Sequence, residues 1–357
     1  MGRSCRTSGS RPRAGGSETS APTGGWSGRS ETRTVERHPR VDALDEYPLV
    51  PFLIVDDRRV LYDTSALAQW IDDCHPAPAG RLIPTDPAVA FVARLIEEAF
   101  DELGLYMVHH NRWVMSAATN DAGARLAREF RRVLPRHGVD HGAALLRAAG
   151  PDDCRISSAS HHQASRSGGG PRSRRRRPRV PADPRHPRGG VGGFLAAIEV
   201  VLTNRPSLLG TGFTLADAGV YGQLAMNLAD PSAADDIRRR APATFAWLQS
   251  IRARRHVGTS GTPRLEADLA GLVAVIARTF VPLMQQNERA YEEARARGET
   301  LFNERAFDRG RALYDGTLLG KPFRSVVKTF QVRVWRDLRG GLGSARGGGA
   351  GAECGRS

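Results

Sequence analysis

Asp63-Thr64 heads the run DTSALAQWI, where a carboxylate and a hydroxyl precede an apolar helical pattern. An oxygen at that position accepts from the first amides of a helix. The same amides, at the positive end of the helix dipole, also suit a ligand carboxylate or phosphate. Two roles are therefore open at Asp63 and Thr64, closing the helix and holding an anion, and closing the helix is the commoner. Thr214 and Asp217, in FTLADAG, stand in the S/T-x-x-D relation of a capping box, so their expected role is folding.

Other reactive side chains are scattered. His109 and His110 follow an acidic stretch, but no Glu-x-x-His or His-x-x-x-His spacing gathers ligands, and no metal is expected. Cys5, Cys74, Cys154 and Cys354 make neither C-x-x-C nor a zinc spacing, which points to a reducing cytoplasm. RSRRRRPR, Arg172–Arg179, could contact phosphates, yet no aromatic residue lies near it for base stacking. A solvated run is the expectation there, with nonspecific nucleic-acid binding as the lesser alternative. No Walker A, complete G-x-G-x-x-G before a helix, or G-x-S-x-G is present.

The elements that must position these residues follow from apolar spacing. Phe52 to Val55 is a short apolar strand, Asp56-Asp57-Arg58 supplies turn chemistry, and Val60 to Tyr62 returns as its antiparallel partner. The helix after Asp63-Thr64 is expected to carry Leu67, Trp70 and Ile71 on its inner side. Asp86-Pro87 opens a long helix with Val92, Leu95, Ile96, Ala99 and Leu103 on one face. Glu97, Glu98, Asp101 and Glu102 fall largely on the other. Further helices are expected over Asp121–Leu134, Gly193–Leu202, Pro242–Arg252 and Leu265–Met284.

Charge separates these elements from the rest of the chain. The net charge is +14, with eight Arg against three Glu in residues 1–40 and ten Arg against three Asp in 151–190. Those two segments and the tail 339–357 are rich in Arg, Ser, Gly or Pro, without helical or strand period, and are expected to be disordered. Their abrupt edges are also what a change of reading frame in a GC-rich gene produces. The patterned remainder is nearly neutral, and only Lys321 and Lys328 are lysines. The longest clean apolar run, Leu269 to Ala277, falls far short of the roughly 20 residues of a membrane span, and no secretory h-region is visible. The expected domains are therefore a partial α/β unit over 41–80 and a helical unit over 86–150 and 191–338, interrupted by 151–190.

The order V-P, strand, strand, D-T-S-A-L-x-x-W-I, then P-T-D-P before a long helix resembles the soluble glutathione transferases. RPSLLGTGFTLADAGVYG, Arg205 to Gly222, extends that resemblance, since the family's helical domain carries a similar L-x-G-x-x-F-T-x-A-D segment. It covers about residues 41–150 and 191–255, and 280–338 looks like the C-terminal extension of a bacterial subgroup. The resemblance implies an α/β plus all-α protein, an incomplete thioredoxin-like domain followed by a helical domain. It implies glutathione as co-substrate, a small electrophile as acceptor and a homodimer as assembly. Val50, before the family's cis-proline equivalent Pro51, would meet the cysteinyl part of glutathione. Asp63 and Thr64 would hold its γ-glutamyl end. Tyr106, Met107, His110 and Trp113 would line the electrophile pocket, although a plain core stripe explains them equally well. The family's catalytic Tyr, Ser or Cys follows a first β-strand, and no such pattern is recognisable before Val41, so the catalytic residue stays unassigned. A non-catalytic binding or assembly module of the same fold is the alternative.

Overall fold

A computed structural model describes residues 5–8, 29–31, 52–55, 59–75, 80–104, 108, 112, 121–125, 191–256 and 261–347. The chain forms two compact units, Met1–Pro78 and Ala79–Ser357.

The first unit holds a four-stranded sheet in the order β2-β1-β3-β4. Its strands are β1 (Cys5–Ser8), β2 (Arg29–Glu31), β3 (Phe52–Val55) and β4 (Arg59–Tyr62). β3 and β4 make the antiparallel hairpin, pairing Phe52 with Tyr62 and Val55 with Arg59. β1 joins the other edge of β3 antiparallel and runs parallel to β2. Two strands thus lie within 1–40, where the sequence shows no pattern. CRTS and RSE are too short for a two-residue period to register, and backbone groups alone make their ladder. α1 (Thr64–Cys74) follows the hairpin and buries Ser65, Leu67 and Asp72. Ser65 and Asp72 are two turns apart and define the inner line. Ile71, about 100° from Asp72 around the axis, turns outward and is 42% exposed, contrary to the expectation for it.

The second unit is mostly helical. α2 (Pro87–Ala99) starts on the Asp86 cap, whose Oδ1 accepts from the Ala88 and Val89 amides, both at 2.9 Å. It runs into a π turn, Phe100–Gly104. Then come α3 (Val191–Asn204), α4 (Leu215–Leu224), α5 (Pro231–Arg240) and α6 (Pro242–Arg252). The α6 N-cap is Ala241, which has no acceptor side chain. Glu199 of α3 takes its place, receiving the Ala243 and Thr244 amides and the Thr244 hydroxyl at 2.7–2.9 Å.

The expected helix Leu265–Met284 is two helices, α7 (Ala270–Arg278) and α8 (Phe280–Ala296). The break falls at Thr279, whose hydroxyl donates to the Val275 carbonyl at 2.7 Å. Pro282 explains it: its ring cannot pass the carbonyl four residues back, so it sits in the first turn of a new helix. By length and composition Ala267–Ala296 would suffice for a membrane span. Its large side chains Leu272, Ile276, Phe280 and Met284 are instead buried in the core.

The extension beyond α8 belongs to the same core. It comprises α9 (Asn303–Asp308), the hairpin β5 (Leu313–Leu318) and β6 (Lys321–Val326), and α10 (Thr329–Gly347). Leu318, Phe323, Val334, Trp335 and Leu338 pack with residues of α2, α3 and α4. Amide side chains pin its backbone. Gln286 gives to the Thr317 carbonyl at 3.0 Å and receives its amide at 2.8 Å, and Asn287 does the same for Lys328, both at 2.9 Å.

This packing changes the expected faces of α2. Ala93, Ile96, Ala99, Phe100 and Leu103 are fully buried, but Glu97 and Glu98 are only 4% and 2% exposed. They do not form a solvent face, because α4 and α10 both pack against α2. Arg94 pairs with Glu98 at 2.7 Å and Glu97 at 3.6 Å, supplying part of the charge that burial demands.

Candidate functional site

The β3–β4 hairpin delivers the chain to α1 through Asp63, which has φ 78° and ψ 116°. A positive φ outside glycine is uncommon, and such conformations cost about 1–3 kcal/mol and concentrate at functional positions. The Asp63 carbonyl takes the first helical bond, from the Leu67 amide at 2.9 Å, while its Oδ1 accepts from the Ser65 amide at 3.1 Å. Thr64 is exposed at the first helical position, and Ser65 is buried beneath it. This arrangement presents a hydroxyl and the positive end of a three-turn helix at the close of the hairpin, which is chemistry for a carboxylate or phosphate. Cys74, the exposed cysteine of α1, lies at the opposite end, roughly 15 Å away at helical rise.

Several expected site residues lie outside the described residues: Val50 and Pro51, the pocket set Tyr106, Met107, His110 and Trp113, and the tract Arg172–Arg179. Within the pocket segment, Val108 is buried, and Arg112 reaches Asp230 at 2.7 Å and the Met226 carbonyl at 2.9 Å. Arg125 meets the same buried carboxylate.

Thr214 and Asp217 form a capping box at the start of α4. Asp217 is buried and accepts from the Thr214 amide at 2.9 Å, the Thr214 hydroxyl at 2.8 Å and the Leu208 amide at 2.8 Å. Burial pushes its carboxyl up to about 6, against the lowering effect of those bonds. The Leu208 bond ties the loop before α4 to the box, and the Leu215 amide separately donates to the Leu82 carbonyl at 2.9 Å.

A second polar centre was not anticipated from the sequence. Glu102, in the π turn, accepts from the Gln331 side chain of α10 at 2.9 Å, and Lys328 lies close by. The available signal was Lys328, one of two lysines in an Arg-rich chain, in the otherwise uncharged run SVVKTF. Among the described residues, no group of three or more His, Cys, Asp or Glu could hold a metal ion. No family model, curated protein or solved structure matches the chain.

Proposed function

We propose that this chain is a glutathione-transferase-like protein that holds the γ-glutamyl end of glutathione at Asp63 and Thr64. The observation that carries this reading is the Asp63 backbone, held at positive φ where the hairpin meets α1. It sets the exposed Thr64 at the first helical position, next to the Asp63 carboxylate. The strand order β2-β1-β3-β4, with β1 and β2 parallel, supports the same reading. So does the capping box of α4 in the segment that carries the resemblance. In the reaction, the glutathione sulfur, as thiolate, would form a bond to the electrophilic carbon as its leaving group departs. The thiol proton passes to solvent or to a base that is left unassigned.

The test uses the full-length protein on immobilised glutathione, with elution by free glutathione and an activated aryl halide as generic electrophile. Retention is expected, and Thr64→Ala should weaken it roughly tenfold, the effect of one hydrogen bond to a charged group. Retention without turnover would identify the non-catalytic module of the same fold. Failure of the wild type to bind glutathione would reject the reading.

A further inference from the structure

Between Asp236 and Glu266 the chain has no acidic residue but seven arginines. Four of the seven are answered: Arg238, Arg239 and Arg240 by Asp235 and Asp236, and Arg264 by Glu266. The other three, Arg252, Arg254 and Arg255, are exposed where α6 ends, and none makes an ion pair among the described residues. Asp268, the next acid after Glu266, is paired with Arg205. The negative end of α6 accounts for a cation in its last turn, not for three in four positions. The turn that carries them is fixed. The Ala253, Arg254 and Arg255 amides donate to the Gln249, Ile251 and Ser250 carbonyls at 2.8–3.0 Å and close the helix end. Arg254 takes the left-handed position of that closure with φ 59°, where glycine would sit without steric cost. A long cation is thus held on a strained backbone, and such outliers concentrate at functional positions. Beside it, the half-buried rings of Phe213 and His256 lie 4.5 Å apart, inclined at 36°.

We propose that this turn binds the phosphate backbone of single-stranded nucleic acid, with Arg252, Arg254 and Arg255 as its cations. Guanidinium groups meet phosphate oxygens through charge-assisted, often paired hydrogen bonds. Three exposed ones along a single turn suit successive phosphates of a chain, which need no enclosing pocket of the kind a small ligand requires. The two rings favour a single strand over a duplex, since unpaired bases stack on aromatic side chains beside a basic track. The site is independent of the glutathione reading, which rests on Asp63 and Thr64 of the other unit. It is also distinct from Arg172–Arg179, a run with no aromatic residue near it in the sequence.

Fluorescence anisotropy of the full-length protein with a labelled oligothymidylate of about 20 nucleotides, longer than one single-strand site, tests the proposal across a salt series. Wild type should bind, with affinity falling as salt rises. The triple variant Arg252→Gln, Arg254→Gly, Arg255→Gln removes three phosphate contacts, each contributing about 0.7 to the slope of log affinity against log salt. Its slope should be shallower by about 2, and its affinity at about 0.1 M salt roughly a hundredfold lower. Glycine at 254 suits the left-handed backbone, so the helix end is kept. Should the triple variant fail to fold, Arg252→Gln and Arg255→Gln singly should each lower the slope by about 0.7. Arg295→Gln, Arg297→Gln, Arg305→Gln removes the same charge from exposed positions elsewhere and should leave the slope unchanged. No binding by wild type, a wild-type slope in the variants of the turn, or an equal loss in the distant triple variant would overturn the proposal. Tighter binding to phosphatidylserine vesicles than to the oligonucleotide, lost in the same variants, would assign the turn to a membrane and overturn it too.

Discussion

Gly219 and Gly222 lie one turn apart on α4, and replacing each by Ala should move stability in opposite directions. In a helix interior Ala is favoured over Gly by about 0.8–1.0 kcal/mol, whichever site is chosen. A Cβ on Gly222 would meet nothing within 4 Å, so that gain is unopposed. A Cβ on Gly219 would stand 2.8 Å from the Glu97 Cα and 2.8 Å from its Cγ. The optimum for two carbons is about 3.5–4.0 Å, so α2 and α4 would have to part by the better part of an ångström. Glu97 cannot swing aside, because the nearest atom belongs to its own backbone. Overpacking of this kind costs about 1–3 kcal/mol. The propensity gain is common to both variants and cancels in their difference, leaving the steric penalty alone. Urea unfolding followed by far-ultraviolet circular dichroism should therefore order the proteins Gly222→Ala, wild type, Gly219→Ala, with the variants about 1–3 kcal/mol apart at equal m-values. If Gly219→Ala matched or exceeded Gly222→Ala, the close approach of α4 to α2 would be wrong, and with it the burial of Glu97.

Asp217→Asn places an NH2 group where a carboxylate oxygen accepts, so one buried amide, of Leu208 or Thr214, loses its partner whichever way the side chain turns. A loss of about 1–3 kcal/mol is expected by denaturation at pH 7, and a variant within error of wild type would refute the role assigned to the box. Because burial raises this carboxyl from 3.8 to about 6, wild type should lose stability relative to the variant as pH rises from about 4 to 6, and hold level beyond. Glu199→Ala removes the acceptor of two backbone amides and one hydroxyl at the head of α6 and should cost about 2 kcal/mol, at the upper end for a helix cap. Faster amide exchange at Ala243 and Thr244 would locate the effect, and unchanged protection there would refute it.

Helices announced by apolar period, with or without a proline start, were legible. α6 carries Pro at its first position and apolar residues at helical spacing, and its bounds match the expected Pro242–Arg252. The expected Gly193–Leu202 lies within α3. What the sequence hid were features decided by distant neighbours. The cap of α6 comes from Glu199, 44 positions away, and no local pattern points to it. The break at Thr279 did have a local sign, Pro282, masked by an apolar run that continues on both sides of it. β1 and β2 carry no apolar alternation, since a strand of three or four residues held by backbone pairing needs none. At the candidate site, the acid and hydroxyl at the start of α1 were legible as a helix start. The positive φ of Asp63 was not, because it follows from the path that the hairpin imposes on the chain.

The acidic run of α2 shows how a later segment can change what an earlier one means. Considered with only the first part of the helical unit, Glu97, Glu98, Asp101 and Glu102 are the polar side of an amphipathic helix, and water would carry their charge. α10 takes that water away. Once Val334, Trp335 and Leu338 join the core, the helix is enclosed on faces that its own composition leaves polar. Enclosed carboxyl groups need a cation, donors or a proton. Arg94 answers for Glu97 and Glu98, and the exposed Asp101 retains solvent. For Glu102, Gln331 donates at 2.9 Å and Lys328 lies close by, while burial pushes the carboxyl up to about 8. The extension is thus joined to the helical unit by the shared core and by the Gln331–Glu102 bond, contacts that neither segment has alone.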